Sequence, residues 1–182
     1  LTFNGTGTWT LNANLTVNAA LAITAGTLDH GATFNIATPT SVTLGASGIW
    51  LNSGTGDLTL AGTLDNSGVM RFNGNGGCFD AADGIAVASS LGGTARTWQG
   101  SGTFALMDLT VSDMTKGGTP ATLTCTSCTQ GTGVTSWTFA GSPSATNIVW
   151  DGGGADTNWN TVGNWCADVA PNPLRPIRRL DG

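Results

Sequence analysis

Short triplets of the form apolar–any–apolar recur along this chain, and they restrict what it can fold into. Examples are Leu15-Thr16-Val17, Phe34-Asn35-Ile36 and Val42-Thr43-Leu44. Alternation with a period of two is typical of a strand that is buried on one face. The triplets begin roughly every 6 to 9 residues, which is closer than the turns of a β-sandwich. We therefore predict a β-solenoid with about three short strands in each coil of about 18–24 residues.

The pentapeptide AGTLD occurs twice, at residues 25–29 and 61–65, and the two copies lie 36 residues apart. We interpret 36 residues as about two coils, so that each copy marks the same corner of the stack. In this interpretation the glycine forms the corner, the leucine points inward and the aspartate turns outward. A single coil buries too few apolar side chains to offset the entropy of ordering it, so the coils must stack.

Composition supports an all-β protein and excludes several classes of function. Only 9% of the 182 residues are charged, while the chain contains 28 glycines and 30 threonines. Threonine favours strands and glycine favours turns, and 40% hydrophobic content argues against disorder. The net charge of −5 excludes a nucleic-acid-binding face. No apolar run is long enough for a membrane span, and no signal-peptide core precedes the first strand.

Changes in composition divide the chain into four segments. We predict a β-solenoid at residues 1–140, a linker at 141–147, a Trp/Gly-rich β module at 148–171 and an irregular tail at 172–182. The tail changes abruptly to proline and arginine. Because Leu1 opens directly in strand-like sequence, we expect a fragment of a longer chain or a processed form.

Two stretches carry a resemblance to a known group of proteins. GTWTLNANLTVNAALAITAGTLDHG, at residues 7–31, resembles the repetitive regions of large secreted bacterial surface proteins of the autotransporter-passenger and filamentous-haemagglutinin type. WDGGGADTNW at 150–159, followed by Asn164-Trp165 and Pro171, is similar to a short unit found beside such repeats. The resemblance implies a right-handed parallel β-helix at a cell surface with structural or adhesive work, and it identifies no catalytic residue.

Trp50 is the candidate ligand-binding residue. If its neighbours Ile49 and Leu51 face inward, Trp50 faces outward, and an exposed indole suits stacking against a sugar ring. The alternative is that Trp50 packs under a neighbouring segment. Trp9 and Leu11 are two residues apart, so both should point to the same side of a strand, and we expect Trp9 in the core.

The four cysteines are Cys78, Cys125, Cys128 and Cys166. No helix follows the CxxC of Cys125 and Cys128, which argues against a redox motif of the thioredoxin type. A zinc site would need a second close pair or histidines. We therefore predict a disulfide between Cys125 and Cys128 across a turn, and Cys78–Cys166 is a further candidate pair. An even number of cysteines agrees with an oxidising compartment.

A calcium site is a further candidate near the glycine-rich turn at 152–154. Its oxygen ligands would come from Asp151, Asp156, Asn158 and Asp168. The spacing matches no EF-hand loop, and Asp and Asn are also common turn residues. No other cofactor is indicated.

Catalysis has little support in the sequence. His30 is the only histidine, and we expect it in a solvated turn. A carbohydrate-active enzyme would need paired carboxylates, for which Asp80 with Asp83 or Asp108 with Asp113 are available. An ice-binding solenoid would need regular outward Thr-x-Thr pairs, and only Thr8 with Thr10 forms one.

The function expected from these observations is a non-catalytic structural or adhesive segment of an extracellular or cell-surface bacterial protein. A polysaccharide-binding or polysaccharide-degrading β-helix and an ice-binding solenoid are the alternatives. Expected partners are glycans, a host or neighbouring-cell surface, and further copies of the chain joined end to end through exposed strand edges.

Overall fold

The computed structural model describes residues 1–31, 33–74, 84–141, 156, 158–161 and 165. The described residues form β-strands and turns and contain no α-helix. The chain separates into two compact units, Leu1–Ser144 and Ala145–Gly182. All seventeen described strands lie in the first unit, and every pairing between them is parallel.

The strands are short, as the triplets predict, apart from two that continue around a corner. In chain order they are β1 (Thr2–Phe3), β2 (Thr8–Thr10), β3 (Leu15–Thr16), β4 (Ala20–Asp29), β5 (Ile36–Ala37), β6 (Ser41–Asn52), β7 (Leu58–Leu60), β8 (Thr63–Asn66), β9 (Val69–Asn73), β10 (Ile85–Ser89), β11 (Arg96–Gln99), β12 (Thr103–Met107), β13 (Leu109–Ser112), β14 (Met114–Lys116), β15 (Leu123–Thr126), β16 (Thr129–Gln130) and β17 (Trp137–Ala140).

The strands stack as about six coils with three faces, which confirms the predicted β-solenoid. We number the coils in chain order, so that coil 1 contains β1, β2 and β3. Face A contains β1, the first parts of β4 and β6, β8, β11 and β14. Face B contains β2, the second parts of β4 and β6, β9, β12, β15 and β17. Face C contains β3, β5, β7, β10, β13 and β16. Because β4 and β6 pass from face A to face B, these two faces form one 11-stranded sheet.

Coil length varies without breaking the strand register. Asn14 and Asn35 occupy equivalent positions in successive coils and lie 21 residues apart. Asp65 and Gln99 are also register partners, yet they lie 34 residues apart. The additional residues fall in the two segments that join β9 to β10 and β10 to β11. The stack therefore accommodates insertions at its corners and keeps its strands aligned.

Apolar side chains from all three faces meet in one continuous core. The largest fully buried side chains lie in inward rows that run from coil to coil, and each is less than 2% exposed: Leu21, Leu64 and Trp98 on face A, Leu28, Trp50, Met70 and Phe72 on face B, and Ile36 and Leu58 on face C. Each such side chain contributes about 1.5–3 kcal/mol when it leaves water. Only stacked coils exclude water from both ends of these rows.

The two AGTLD copies occupy different corners, so the prediction of one shared corner is wrong. Leu28 of the first copy lies on face B and pairs with Trp50. Leu64 of the second copy lies on face A and pairs with Val42. The separation of 36 residues is not a multiple of the 21–22-residue coil. Leucine is nevertheless buried in both copies, as predicted.

Both copies place a glycine where two coils approach each other closely. A Cβ atom on Gly26 would collide with the carbonyl oxygen of Gly5, and one on Gly62 would collide with the carbonyl oxygen of Thr40. Gly26 also has a φ of +78°, which L side chains rarely adopt. The pentapeptide is thus compatible with two different corners of this stack.

A different repeat does mark one corner in each of three successive coils. The Oδ1 atom of Asn14 accepts the backbone N–H of Asn35 at 2.9 Å, and Oδ1 of Asn35 accepts the N–H of Asp57 at 2.8 Å. Oδ1 of Asp57 in turn accepts the N–H of Ala86 at 2.9 Å. We call this chain of hydrogen bonds the Asx ladder. It lies where the chain enters face C and joins four coils in register.

Asn35→Ala should lower the free energy of unfolding by about 1–2 kcal/mol, because the N–H of Asp57 loses its acceptor. Asn35→Asp keeps an acceptor and should recover most of this loss. Urea denaturation followed by circular dichroism measures both values. Asn12→Ala, at an exposed asparagine in coil 1, is the control and should change stability by less than about 0.5 kcal/mol. Equal stability of the two alanine variants would contradict a structural role for the ladder.

Candidate functional site

Trp50 lies in the core, and its predicted role as an exposed sugar platform is wrong. Its side chain is 0% exposed, whereas Ile49 and Leu51 are half-buried on the outer side of β6. The strand turns from face A to face B between Gly45 and Gly48, and the inward–outward alternation restarts after that corner. The indole therefore fills the interior, where its large apolar surface contributes most to stability.

His30 is also buried, although the sequence suggested a solvated turn. It lies in the inward row of face B in coil 2, and the next residues of that row are Asn52 in coil 3 and Phe72 in coil 4. The imidazole ring lies 5.5 Å from the rings of both Trp50 and Phe72, and those two rings meet edge to face at 5.1 Å. We call His30, Trp50, Asn52 and Phe72 the buried histidine cluster.

The hydrogen bonds of Asn52 determine the tautomer of His30. Nδ2 of Asn52 donates to Nδ1 of His30 at 2.9 Å and to the carbonyl oxygen of Gly56 at 2.7 Å. Oδ1 of Asn52 accepts the N–H of Gly54 at 3.2 Å, which orients the amide. Nδ1 of His30 is therefore an acceptor, and the proton of the neutral ring lies on Nε2. Nε2 itself is buried without a hydrogen-bond partner.

Burial of the ring lowers the pKa of His30 from 6.5 to about 3, although the carbonyl of Gly56 acts in the opposite direction. A charged imidazolium would lose its hydration in this apolar cluster, so the neutral form is favoured. The ring cannot reach a substrate in solvent. His30 consequently has a structural role in the core rather than that of a catalytic base.

The buried neutral His30 should make the protein less stable as the pH falls below 6.5. The unfolded chain binds a proton near pH 6.5 and the folded chain only near pH 3, so stability decreases across that interval. Between pH 7 and pH 5 this single group should remove about 2 kcal/mol. Urea denaturation at both pH values measures the loss.

His30→Leu removes the titrating group and fits a position where Leu11 lies one coil before. The variant should lose about 2 kcal/mol less than the parent between pH 7 and pH 5, whatever its stability at pH 7. Identical pH dependence in both proteins would show that the imidazole titrates normally. Because both proteins share all their carboxylates, the difference between them isolates the histidine.

The carboxylate pair Asp108 and Asp113 does not form a compact acidic site. The two residues lie at opposite ends of β13, about 16 Å apart along extended chain. Both are buried and adopt positive φ angles of 54° and 52° at corners of coil 5. Oδ2 of Asp113 accepts the N–H of Gly93 at 3.0 Å. Glycosidases need their two carboxyl groups about 5–9.5 Å apart, so this pair does not supply them. Asp80 and Asp83 lie outside the described residues.

The structure describes only some of the remaining candidate residues, which are the cysteines and the proposed calcium ligands. Cys125, in β15, forms a disulfide with Cys128, as the sequence predicts. Cys78 and Cys166 lie outside the described residues. Of the proposed calcium ligands, Asp156 and Asn158 are described, and Oδ1 and Oδ2 of Asp156 accept from the backbone N–H and Nδ2 of Asn158.

These contacts are those of an Asp–Asn turn, and Asp151 and Asp168 lie outside the described residues. The described part of the chain contains no group of three or more acidic, histidine or cysteine side chains placed to hold a metal ion. In the second unit, the indoles of Trp159 and Trp165 meet edge to face at 4.3 Å. Nε1 of Trp165 donates to the carbonyl oxygen of Trp159 at 2.8 Å.

The threonine pair Thr8 and Thr10 does not extend into a regular array. Its register partners in coil 2 are Thr27 and Asp29, and in coil 3 they are Ile49 and Leu51. A single outward row of hydroxyl groups forms on face A instead, from Ser41, Thr63, Thr97, Thr115 and Thr135. Asp65 and Gln99 occupy the neighbouring row and are hydrogen-bonded to each other.

The outer surface of face B contains a groove of about 460 Å³, which the sequence did not indicate. Two neighbouring rows of side chains line it: Arg71, Ala105 and Thr124 form one, and Asn73, Met107 and Thr126 form the other. Each row draws one residue from each of coils 4, 5 and 6. The volume lies within the range of binding sites for small molecules. We call this feature the face B groove.

Arg71 is the cation of this groove and differs from the other described cations in its contacts. Nζ of Lys116 donates to the carbonyl oxygens of Gly117, Gly118 and Pro120, and Nε of Arg96 donates to Ser89. Arg71 is exposed, and its guanidinium donates to no described residue. No acidic residue is among the described residues that line the groove. The groove therefore presents an accessible positive charge beside an apolar centre.

Two reasons explain why the groove escaped sequence reasoning. Its residues come from three coils, and 34 residues separate Arg71 from its row partner Ala105. A regular coil length does not predict that partnership. The Asx ladder does not supply the missing register, because it covers only the first four coils and the groove lies in coils 4 to 6.

No protein-family model, curated protein or solved structure matches the chain. The described residues contain no helix that is long and apolar enough to cross a membrane. The stacked-coil architecture thus rests on the structure itself, and the resemblance to bacterial surface proteins remains an expectation from the sequence.

Proposed function

We propose that this chain is a stiff, non-catalytic β-solenoid segment of an extracellular or cell-surface bacterial protein, serving as a stalk or adhesive scaffold. The observation that carries this proposal is the continuity of the stack. Three parallel ladders and one apolar core run through about six coils, so bending the stack would break hydrogen bonds and packing in several coils at once. Such a unit holds attached groups at a constant separation.

Two further observations support an extracellular or cell-surface location. The disulfide between Cys125 and Cys128 is typical of proteins that mature in an oxidising compartment. The triplet-rich sequence at residues 7–31 resembles the repetitive regions of secreted bacterial surface proteins. Among the described residues, face B is the surface that we propose for adhesion, since it carries a groove that combines an apolar centre with an accessible cation.

Spin labels at Thr10 and Thr138 should report one narrow distance of about 29 Å. Both residues are exposed in the same outward row of face B, six inter-coil steps apart, and each step is about 4.8 Å. Unnatural amino acids carry the labels, so that the native cysteines stay unmodified. Double electron–electron resonance measures the distance distribution.

A second pair, at Thr10 and Thr124, is the matched control and should report a distance about 5 Å shorter, because it spans one coil fewer. A broad distribution for both pairs, or equal distances, would contradict a stiff stack. The labels lie outside the core, so the stability of the labelled proteins should equal that of the unlabelled chain within about 0.5 kcal/mol.

We also propose that copies of this chain associate end to end through coil 1. Strands β1, β2 and β3 each pair with one neighbour in coil 2, and their other edges meet no described strand. Leu1 is 53% exposed, and Phe3, Trp9 and Leu15 are only half-buried. A second stack placed on this edge would continue the ladders and bury these side chains.

Leu1→Lys should weaken this association, because it places a charge at the edge where the second stack would lie. Sedimentation velocity between about 1 and 200 µM should show larger species for the parent chain and mainly monomer for the variant. Leu91→Lys changes a comparably exposed leucine, 59% exposed on a loop, and should leave association unchanged. A parent chain that is monomeric throughout this range would contradict the proposal.

A further inference from the structure

The face B groove has a polar–apolar–polar order along both of its rows. Arg71 and Asn73 lie in coil 4, Ala105 and Met107 in coil 5, and Thr124 and Thr126 in coil 6. Adjacent coils are about 4.8 Å apart, so the two polar ends are separated by about 10 Å. The apolar pair lies midway between them.

These dimensions match a single pyranose ring. A sugar ring has an apolar C–H face about 5 Å across, with hydroxyl or carboxyl groups around its edge, and hydrogen bonds of about 2.8 Å extend it on each side. The C–H face fits over Ala105 and Met107. The edge groups then reach Arg71 on one side and the hydroxyl groups of Thr124 and Thr126 on the other.

We propose that the face B groove binds a carboxylated sugar residue, a uronate, within an acidic polysaccharide. The guanidinium of Arg71 pairs with the carboxylate, and its planar donors suit that group. Asn73 lies two residues further along β9 and lines the same end of the groove. This inference rests on the adhesive part of the proposed function and names its ligand class.

Charge favours an acidic sugar over a neutral one at this site. The described lining contains one arginine and no carboxylate, although the chain as a whole has a net charge of −5. An anionic polymer is repelled by most of the surface and attracted at Arg71, which selects both the site and the orientation of the bound residue. Affinity for one sugar is expected to be weak, and repeated copies of the stalk strengthen it.

The position of the groove disfavours an acidic peptide as the ligand. Peptides commonly bind β-proteins by adding a strand to a free edge. Strand β12, at the centre of the groove, is paired with β9 on one side and with β15 on the other. A peptide therefore has no backbone partners in the groove, whereas a sugar needs only side chains and an apolar surface.

The test uses the full chain and two trisaccharides of equal length, one of α-1,4-linked galacturonate and one of galactose. Calorimetric titration and saturation-transfer NMR should show binding of the galacturonate trimer that weakens as salt is added. The galactose trimer should bind at least tenfold more weakly. Absence of galacturonate binding up to about 10 mM, or equal affinity for both trimers, would overturn the proposal.

Arg71→Gln should lower the affinity for the galacturonate trimer at least tenfold, and Arg71→Lys should retain an intermediate affinity. Ala105→Glu introduces a carboxylate at the centre of the groove and should also abolish binding. Arg96→Gln removes the same charge from a different position on the stack and should leave the affinity unchanged. An Arg71→Gln variant with parental affinity overturns the assignment of the site.

Hexaglutamate, added as a competitor, distinguishes the remaining alternative. If it displaces the trisaccharide at equal concentration, the groove recognises carboxylates in general and the saccharide assignment is wrong. The spin-label distances of Arg71→Gln separate this inference from the proposed function. If the stack has the expected length but does not bind uronate, the proposed stiff scaffold is retained and only the proposed ligand is contradicted.

Discussion

Hydrogen bonding between successive coils is the condition on which this molecule depends. Its strands contain 2 to 12 residues, and none pairs with a strand of its own coil. In the strands of the inner coils, the backbone N–H and C=O groups bond to the coils before and after. The core follows the same rule, because one coil surrounds its inward side chains on the sides only, and the neighbouring coils cover them above and below. Stability is thus a property of the stack.

This dependence explains the corners. Close approach of two coils leaves no space for a Cβ atom at Gly26 or Gly62, whose neighbours are backbone carbonyl oxygens of the preceding coil. It also explains the Asx ladder, in which Asn14, Asn35 and Asp57 supply acceptors for backbone groups of the next coil. The number of residues at a corner is free to vary, and the 34-residue step from Asp65 to Gln99 preserves the strand register.

Stacking also creates surfaces from residues that are distant in the sequence. Arg71, Ala105 and Thr124 become neighbours on face B because three coils align them. The same alignment brings His30 and Asn52 together in the core, where burial keeps the imidazole neutral and Asn52 fixes its tautomer. Outward rows offer ligands a set of groups spaced about 4.8 Å apart. The face B groove differs from the other described rows in combining a cation, an apolar centre and hydroxyl groups.

Sequence patterns predicted the local structure well and the three-dimensional neighbours poorly. The triplets correctly indicated short strands and a stacked solenoid, and the CxxC spacing correctly indicated the Cys125–Cys128 disulfide. The inward–outward alternation gave the wrong orientation for Trp50. The alternation restarts after each corner, and no local signal in the sequence states where the corner falls. The histidine was assigned to solvent because its DHG context resembles a turn, although the strand ends only at the preceding residue, Asp29. Strand type, turn type and the need to stack therefore follow from amino-acid order alone, since they depend on propensities within a few residues. Only tertiary structure decided which side chains face inward and which share a row, because these depend on where each coil closes on the one before.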